Sequence, residues 1–489
     1  MRKILVKLRR FTRPGKPAKS DDNQSTPAQC PKAGTPADTS ASATQGDVGR
    51  AQQRLETQQQ PDGRLDSQAE AAVVESTAAD GTGRGEPHKA VVSCLETLPA
   101  ELRRQILFAI SDISGLDDMS AITCASPVFW QQYQLDRKAL LEHALHTTLG
   151  IVLVDAYAVQ TTALVCYTKD TARKSAVYQA IDEYKISRSG APGLILGESS
   201  EQDLLSMANF FRSIVRPLAL RYATDTLHKF DTFSEVEISL SKMEQTRILR
   251  ALYRFQLYCN LFRDWPSSRQ DPELEIESTE KLALLFGLFR PWEMEEIDSI
   301  YATMFRKYEE VFDAIAWDLH RDNPKFDFWG YPNTPPGARH LEEDGFFREY
   351  IRQGTAERGL SLFYNVLCIN DHDDLVETMD DNMDVSGSYE DLIHTTTQFN
   401  RRVEYPQEGD LAEEDRERLP FAGDREDAPP LAWVIMWKGR YSNWYGDYIP
   451  QVFKLGGYVF WDRERLVKEA IKGPFLRARE EHQRDFIII

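Results

Sequence analysis

Apolar residues recur at helical spacing along most of the chain after residue 92. Leu102, Ile106 and Ile110 repeat every four residues. A second stripe, which ends at Gly150, consists of Leu140, Leu141, Ala144, Leu145 and Leu149. Side chains three and four positions apart share one face of a helix, so each stripe predicts an amphipathic helix. A glycine directly after the second stripe is typical of a helix end.

The helical period continues toward the C-terminus. A third stripe predicts another helix and consists of Leu204, Met207, Phe211, Ile214 and Leu218. Ser241 and Glu244 have the spacing of a capping box, and they precede a fourth stripe of Ile248, Leu252, Phe255 and Leu261. From Trp292 to Leu319 apolar residues lie three or four apart, which predicts the longest helix. No series of alternating β-branched residues and no repeat of about 20–50 residues interrupts this pattern. We therefore predict a mainly α fold.

Composition divides the chain into a tail and a folded part. Residues 12–92 are rich in Pro, Ala, Ser, Thr and Gln and hold no aromatic residue, so they cannot bury enough surface to offset the entropy of ordering. We predict a disordered tail over 1–92, a helical module over 93–134 and an irregular multi-helix domain over 135–489. Within that last domain we predict surface loops at 323–337 and 404–430, the second acidic, and a compact aromatic segment at 433–461 that could include short strands.

Charge is distributed unevenly along the sequence. The net charge is -19, yet eight basic residues precede the first acid, so the rest of the chain carries -27. A body this acidic repels phosphate backbones, and we expect no nucleic-acid binding by the folded part. The basic start matches a mitochondrial presequence, a nuclear localisation cluster or a plain solvated tail, of which we favour the last. We expect an intracellular protein of the nucleus or cytoplasm.

The cysteines and the most apolar stretch also support the expectation of an intracellular protein. The six cysteines are scattered, with no pair at zinc-ligand spacing, and they indicate free thiols in a reducing compartment. The best candidate for a membrane span, residues 151–167, is interrupted by Asp155 and Gln160. We expect no membrane span.

Several motifs resemble catalytic or metal sites but fail on spacing. His320-Arg321-Asp322 and the nearby Asp327-Phe328-Trp329-Gly330 are similar to kinase loops, yet no glycine-rich loop or strand lysine precedes them. His143 and His146 lack a third ligand. Val385 stands where a calcium loop requires glycine, among the acidic and amide residues Asp380, Asn382, Asp384 and Asp391. We predict no metal, no cofactor and no enzyme activity.

One segment suggests a partner. Leu98-Pro99-Ala100-Glu101-Leu102 is followed by Ile106-Leu107 and then by a second apolar stretch that begins at Leu116. Pro99 suits the first position of a helix, and Glu101 favours the positive end of the helix dipole. The segment resembles the first half of an F-box, a helical hairpin that binds the small adaptor subunit of cullin-based ubiquitin ligases. The resemblance implies adaptor contacts by Leu98, Pro99, Leu102, Ile106 and Leu107, and recruitment of a protein substrate by the remaining chain.

The second half of the segment departs from the F-box pattern, because Ser126–Tyr133 replaces the usual basic stretch. Residues 98–150, together with Gly439–Pro450 and Gly457–Asp462, are similar to a family of uncharacterised F-box-like proteins from filamentous fungi. Two interpretations remain open. Either the hairpin binds the ligase adaptor, or the protein is a self-contained helical interaction or scaffold protein in which the hairpin is only structural.

Overall fold

The computed structural model describes residues 95–168, 170–190, 196–197, 199–228, 239–263, 276, 278–329, 338–339, 341, 346–383, 416–437, 439, 449 and 451–467. The chain divides into two compact units, Met1–Lys89 and Ala90–Ile489. The predicted disordered tail over 1–92 lies outside the described residues. All the described residues belong to the second unit.

The described residues form helices and no strand. The α-helices, in chain order, are α1 (Ala100–Ser114), α2 (Leu116–Ala125), α3 (Pro127–Leu149), α4 (Leu153–Thr162), α5 (Asp170–Ser189), α6 (Glu201–Phe210), α7 (Arg216–His228), α8 (Lys242–Phe262), α9 (Ser278–Leu284), α10 (Pro291–Ile315), α11 (Phe346–Ala356), α12 (Leu360–Cys368), α13 (His372–Asn382), α14 (Leu431–Trp437), α15 (Gln451–Leu455) and α16 (Arg463–Val467). Short 3₁₀ segments occur at Gly150–Val152, Val165–Tyr167, Phe286–Leu288 and Pro324–Trp329.

The mainly α prediction is confirmed, and all the apolar stripes lie in helices. The capping box at the start of α8 is present, with Ser241 and Glu244 each accepting the other's backbone N–H. The helix α10 spans 25 residues and is the longest element of the described part. The predicted domain boundary after residue 134 falls inside α3, two positions before the kink at Asp136. The chain therefore has no linker at that point.

The helix α8 lies at the centre of the unit. It packs against α4 on one side and α10 on another, and 16 of its 21 residues are buried. A single apolar core extends from Leu107 in α1 to Leu466 in α16. The N-terminal helices and the C-terminal segment therefore share one continuous core.

A π-helical turn, Phe211–Val215, connects α6 to α7. The Arg216 N–H donates to the Phe211 carbonyl, five positions back, instead of four. Pro217 explains the wider turn, because its ring would clash with the carbonyl four residues earlier in a regular α-helix. The sequence pattern predicted one continuous helix here, and it did not include this turn.

The aromatic segment and the end of the acidic loop are anchored to α8. Asp424 lies 3.2 Å from Arg247, and the Glu426 carbonyl accepts from Arg250 at 3.3 Å, so this end of the loop is held on the core. The aromatic side chains of the segment 433–461 that the structure describes are core residues, namely Trp433, Trp437, Phe453, Tyr458, Phe460 and Trp461. The others, Tyr441, Trp444, Tyr445 and Tyr448, and residues 404–415 of the loop, lie outside the described part.

Candidate protein-binding surface

The helices α1, α2 and α3 pack together as one small module. The Arg104 side chain lies 3.1 Å from Asp136, and Phe108 packs edge-on against His143 with ring centroids 5.5 Å apart. Asp112 pairs with His143 at 2.5 Å. Contacts advance together along α1 and α3, so these two helices run in the same direction with α2 returning between them.

The turn between α1 and α2 requires glycine. Gly115 has φ +63, and a Cβ there would lie 2.1 Å from the Thr148 hydroxyl on α3. That hydroxyl accepts from the Leu116 N–H at 3.0 Å and caps the first turn of α2. The close approach of this turn to α3 fixes the angle of the hairpin.

Polar contacts hold the turn before α1 in place. The Arg103 guanidinium donates to the Leu98 carbonyl at 2.7 Å. Glu96 accepts from the Ser126 hydroxyl at 2.6 Å, and Ser126 also caps the start of α3. The helix begins at Ala100, so Pro99 occupies the position before the first helical residue and not that first position itself. Its ψ of 152° is the extended conformation of a helix cap.

The predicted contact residues differ in exposure. Pro99 is exposed and Leu102 is 43% exposed, whereas Leu98 and Ile106 are half-buried. Leu107 has no exposed surface and belongs to the core. The structure thus leaves the first turn of α1 accessible and uses Leu107 to attach α1 to the rest of the module.

Further apolar side chains of the module face solvent and were not among the predicted contacts. Ile113 is 83% exposed, Leu135 80%, Leu95 50% and Trp130 42%. Trp130 lies beside Tyr133 on α3, with ring centroids 5.5 Å apart. The sequence signal for Trp130 was the Phe129-Trp130 pair, in which only Phe129 follows the buried stripe of α3.

Ion pairs connect the module to the neighbouring helices. Asp117 at the start of α2 lies 2.9 Å from Arg216 of α7. Arg137 of α3 lies 3.4 Å from Glu201 of α6. Burial raises the pKa of the neighbouring Tyr133, although the positive charge of Arg137 opposes the shift. These ion pairs bridge the module and the neighbouring helices of the larger domain.

A second concentration of charge is buried around α8. Arg250 makes two hydrogen bonds to Glu296, at 2.9 and 2.6 Å, and lies 3.2 Å from Glu293. Arg254, one turn further on, lies 3.1 Å from Glu293 and 3.3 Å from Asp155 of α4. All of these side chains are buried. Because each guanidinium faces carboxylates, the desolvation of each charge is compensated inside the core.

The N-terminal end of the same helix binds the C-terminal segment. Arg247 donates to the Phe460 carbonyl at 3.0 Å and to Asp462 at 2.8 Å. Arg465 donates to the capping residue Glu244 at 2.7 and 2.8 Å. This cluster was not predicted from the sequence, where its signal is the spacing of Arg247, Arg250 and Arg254 along one helix.

The pKa values of two carboxyl groups on α10 are shifted in opposite directions. Burial disfavours ionisation of Glu293, but Arg254 and Arg250 outweigh it and lower its pKa to about 2. Burial raises the pKa of Glu295 to about 7, with Asp298 adding to the effect and Lys454 opposing it. Tyr458 donates to Glu295 at 2.9 Å and accepts from the Trp437 indole N–H at 3.1 Å. Each of the buried arginines of α8 faces carboxylates of the protein itself, which is the arrangement of a structural network.

The structure also bears on the metal and membrane candidates. Among the residues that it describes, no group of three or more His, Cys, Asp or Glu side chains could hold a metal ion. Asp384 and Asp391 of the rejected calcium loop lie outside those residues. The helical stretch Pro127–Tyr167 is long and apolar enough to cross a bilayer by length and composition alone. Its most apolar window is 56% buried, and Asp155 within it contacts Arg254 and Tyr184.

No protein-family model, curated protein or solved structure matches this chain.

Proposed function

We propose that the hairpin of α1 and α2 binds the small adaptor subunit of cullin-based ubiquitin ligases, and that the larger helical domain recruits a protein substrate. The observation that carries the proposal is the exposure of Pro99 and Leu102 at the start of α1. An apolar surface that stays accessible in the isolated chain is what a docking helix needs.

Rigidity of this first turn supports the same proposal. The contacts of Arg103 and Glu96 hold the chain from Leu95 to Leu98 against α1 and α3. A preordered apolar turn loses little conformational entropy on binding, so more of its buried surface contributes to affinity.

The second candidate function is a self-contained helical interaction or scaffold protein in which the hairpin is structural. The burial of Leu107 and the packing of Ile106 on the core favour it. The two candidates differ in the role of Leu102. It contacts the adaptor in the first and has no structural role in the second.

The test is a binding measurement between the full-length protein and the purified adaptor, with two matched variants. Leu102→Glu places a charge in the proposed contact, whereas Ile113→Glu places one on an exposed position of the same helix outside it. We expect Leu102→Glu to weaken binding by about tenfold or more, because a buried interface charge has no partner. Ile113→Glu should bind as the wild type does.

Two outcomes contradict the adaptor proposal. One is the absence of adaptor binding by folded wild-type protein, which favours the scaffold function. The other is equal loss of binding in both variants, because a general change in surface charge would then explain it. The helical circular dichroism of each variant serves as the folding control.

A further inference from the structure

An exposed tryptophan lies just beyond the end of α10. Trp317 is 59% exposed, more than any other Trp, Tyr or Phe side chain that the structure describes. Its ring stacks on that of His320, with centroids 5.5 Å apart and an angle of 25° between the planes. Its carbonyl accepts from the His320 N–H at 3.2 Å and from the Asn323 side-chain amide at 2.8 Å. The indole therefore lies outside the core but is held in position by its own turn.

Acidic side chains lie next to this turn. Asp318, the next residue along the chain, pairs with His372 at 2.9 Å, which places the first turn of α13 beside it. The helix α13 holds five acids and no Lys or Arg. Asp373, Asp374 and Glu377 are exposed, and no ion pair among the described residues includes any of the three. The charge of these acids is therefore not neutralised by that part of the protein.

The dipole of α13 explains only part of this arrangement. Asp373 and Asp374 lie in the first turn, where the positive end of the helix dipole stabilises a carboxylate. Glu377 lies one turn further on, and Trp317 belongs to another element. An exposed aromatic ring and acids without cationic partners together favour a positively charged ligand, because both attract it.

We propose that this surface binds a basic segment of a partner protein, in which an arginine stacks on the indole of Trp317 and neighbouring cations contact the three acids of α13. His320 covers one face of the indole and leaves the other face to the arginine. Tryptophan is the ring that attracts cations most strongly, and it is frequent among the residues that dominate protein interfaces. Acids at this surface repel phosphate, so a nucleic acid does not fit.

The partner at this surface is the substrate that the larger domain recruits, so this assignment rests on the proposed function, although it is independent of adaptor binding. Arginine is favoured over lysine, because its planar guanidinium stacks on an aromatic ring. The net charge of -19 attracts the same class of partner over a longer distance.

Fluorescence anisotropy of labelled peptides measures binding to the full-length protein without the adaptor. Three peptides are compared, each with four repeats of a tripeptide, which is Gly-Ser-Arg, Gly-Ser-Lys or Gly-Ser-Glu. We expect the arginine peptide to bind with a Kd of about 10–100 μM at about 50 mM salt. The lysine peptide should bind about threefold more weakly, because it lacks the planar stacking group. The glutamate peptide should not bind.

Removal of the indole tests the stacking contact. Trp317→Ala should weaken binding of the arginine peptide about fivefold or more. The matched control is Trp130→Ala, which removes an indole that is 42% exposed from α3 and should leave the Kd unchanged. Helical circular dichroism checks that each variant folds.

Removal of two acids tests the contribution of charge. The double variant Asp373→Asn, Asp374→Asn should weaken binding of the arginine peptide about threefold or more. The matched control is Asp182→Asn, Glu183→Gln, which removes the same charge from exposed positions of α5. This control should change the Kd less than about 1.5-fold.

The assignment is overturned if Trp317→Ala binds the arginine peptide as the wild type does, or if the two double variants lose affinity equally. It is also overturned if the glutamate peptide binds as tightly as the arginine peptide, or if the wild type binds no arginine peptide up to about 1 mM. Leu102→Glu should bind the arginine peptide as the wild type does, so failure of adaptor binding and failure of this assignment are separate results.

Discussion

The helices α1 and α8 are both amphipathic in sequence, but the protein uses them differently. In α8 16 of 21 residues are buried, including three arginines, whereas in α1 only Leu107 and Ser111 are buried among 15 residues. A helix that contacts other elements on all sides contributes to stability and has no surface left for a partner. A helix attached along one edge contributes little to the core and keeps a free face. Stability and binding are therefore expected to depend on different helices.

Removal of a buried arginine is the strongest test of this comparison. Arg250→Ala leaves Glu296 buried without its main partner and Glu293 with Arg254 alone, and we expect a loss of about 3–5 kcal/mol in the free energy of unfolding. Urea denaturation followed by circular dichroism measures it.

The matched control for that substitution is Arg306→Ala on the exposed side of α10, where the side chain is 56% exposed. We expect a change below about 0.5 kcal/mol there. A loss of less than about 1 kcal/mol in Arg250→Ala would contradict the central role of α8.

A smaller effect is expected in the turn that shapes the module. Gly115→Ala brings a Cβ against Thr148, and Gly150→Ala adds one at nearly the same backbone angles with nothing within 4 Å. Alanine is strained at these positive φ angles, so each substitution should cost about 1–2 kcal/mol. Gly115→Ala should cost about 1 kcal/mol more, because Thr148 must release the Leu116 N–H.

Urea denaturation of the two glycine variants in parallel separates these contributions. Equal losses of stability in the two variants would mean that the module tolerates a larger distance between the hairpin and α3. The angle of the hairpin would then not be fixed by that contact.

The smallest effect concerns pH. The pKa of Glu295 in the folded protein is about 7, above its ordinary value of 4.5. The folded state therefore binds this proton more tightly than the unfolded state does, and its stability falls as the pH rises from about 4.5 to about 7. Glu295→Gln removes that dependence, so between pH 5 and pH 8 the variant should lose about 1–2 kcal/mol less stability than the wild type.

Denaturation of the wild type and of Glu295→Gln at pH 5 and pH 8 measures how much less stability the variant loses. A variant that follows the wild type at both pH values would show that Lys454 and Tyr458 fully offset the burial of the carboxylate.

Local rules were sufficient for the helices but not for the buried charges. The capping box at Ser241 and the stripe after Trp292 specify α8 and α10, since these signals depend on neighbouring residues alone. The same rules place arginine on the solvent side of a helix. Arg247 and Arg250 instead face carboxylates up to 215 positions away, and no local pattern encodes such a pairing.

The candidate site likewise combines features that local rules predicted with features that they did not. That Leu102 lies on the apolar stripe of α1 followed from the helix period after Pro99, although its exposure did not. The burial of Leu107 did not, because it depends on the approach of α2 and α3. The π-helical turn was also missed, although Pro217 is a signal that a regular helix is interrupted there.

The pairing of Arg247 with Asp462 has a consequence for synthesis of the chain. Arg247 leaves the ribosome 215 residues before its partner, a delay of about 10–40 s at ordinary rates of translation. During that interval Glu293 and Glu296 can already neutralise Arg250, but the end of α8 that awaits the C-terminal segment stays incomplete. This end of the nascent core therefore stays open to aggregation and proteolysis until Asp462 has been added, and premature termination before Asp462 would release a product that lacks this contact.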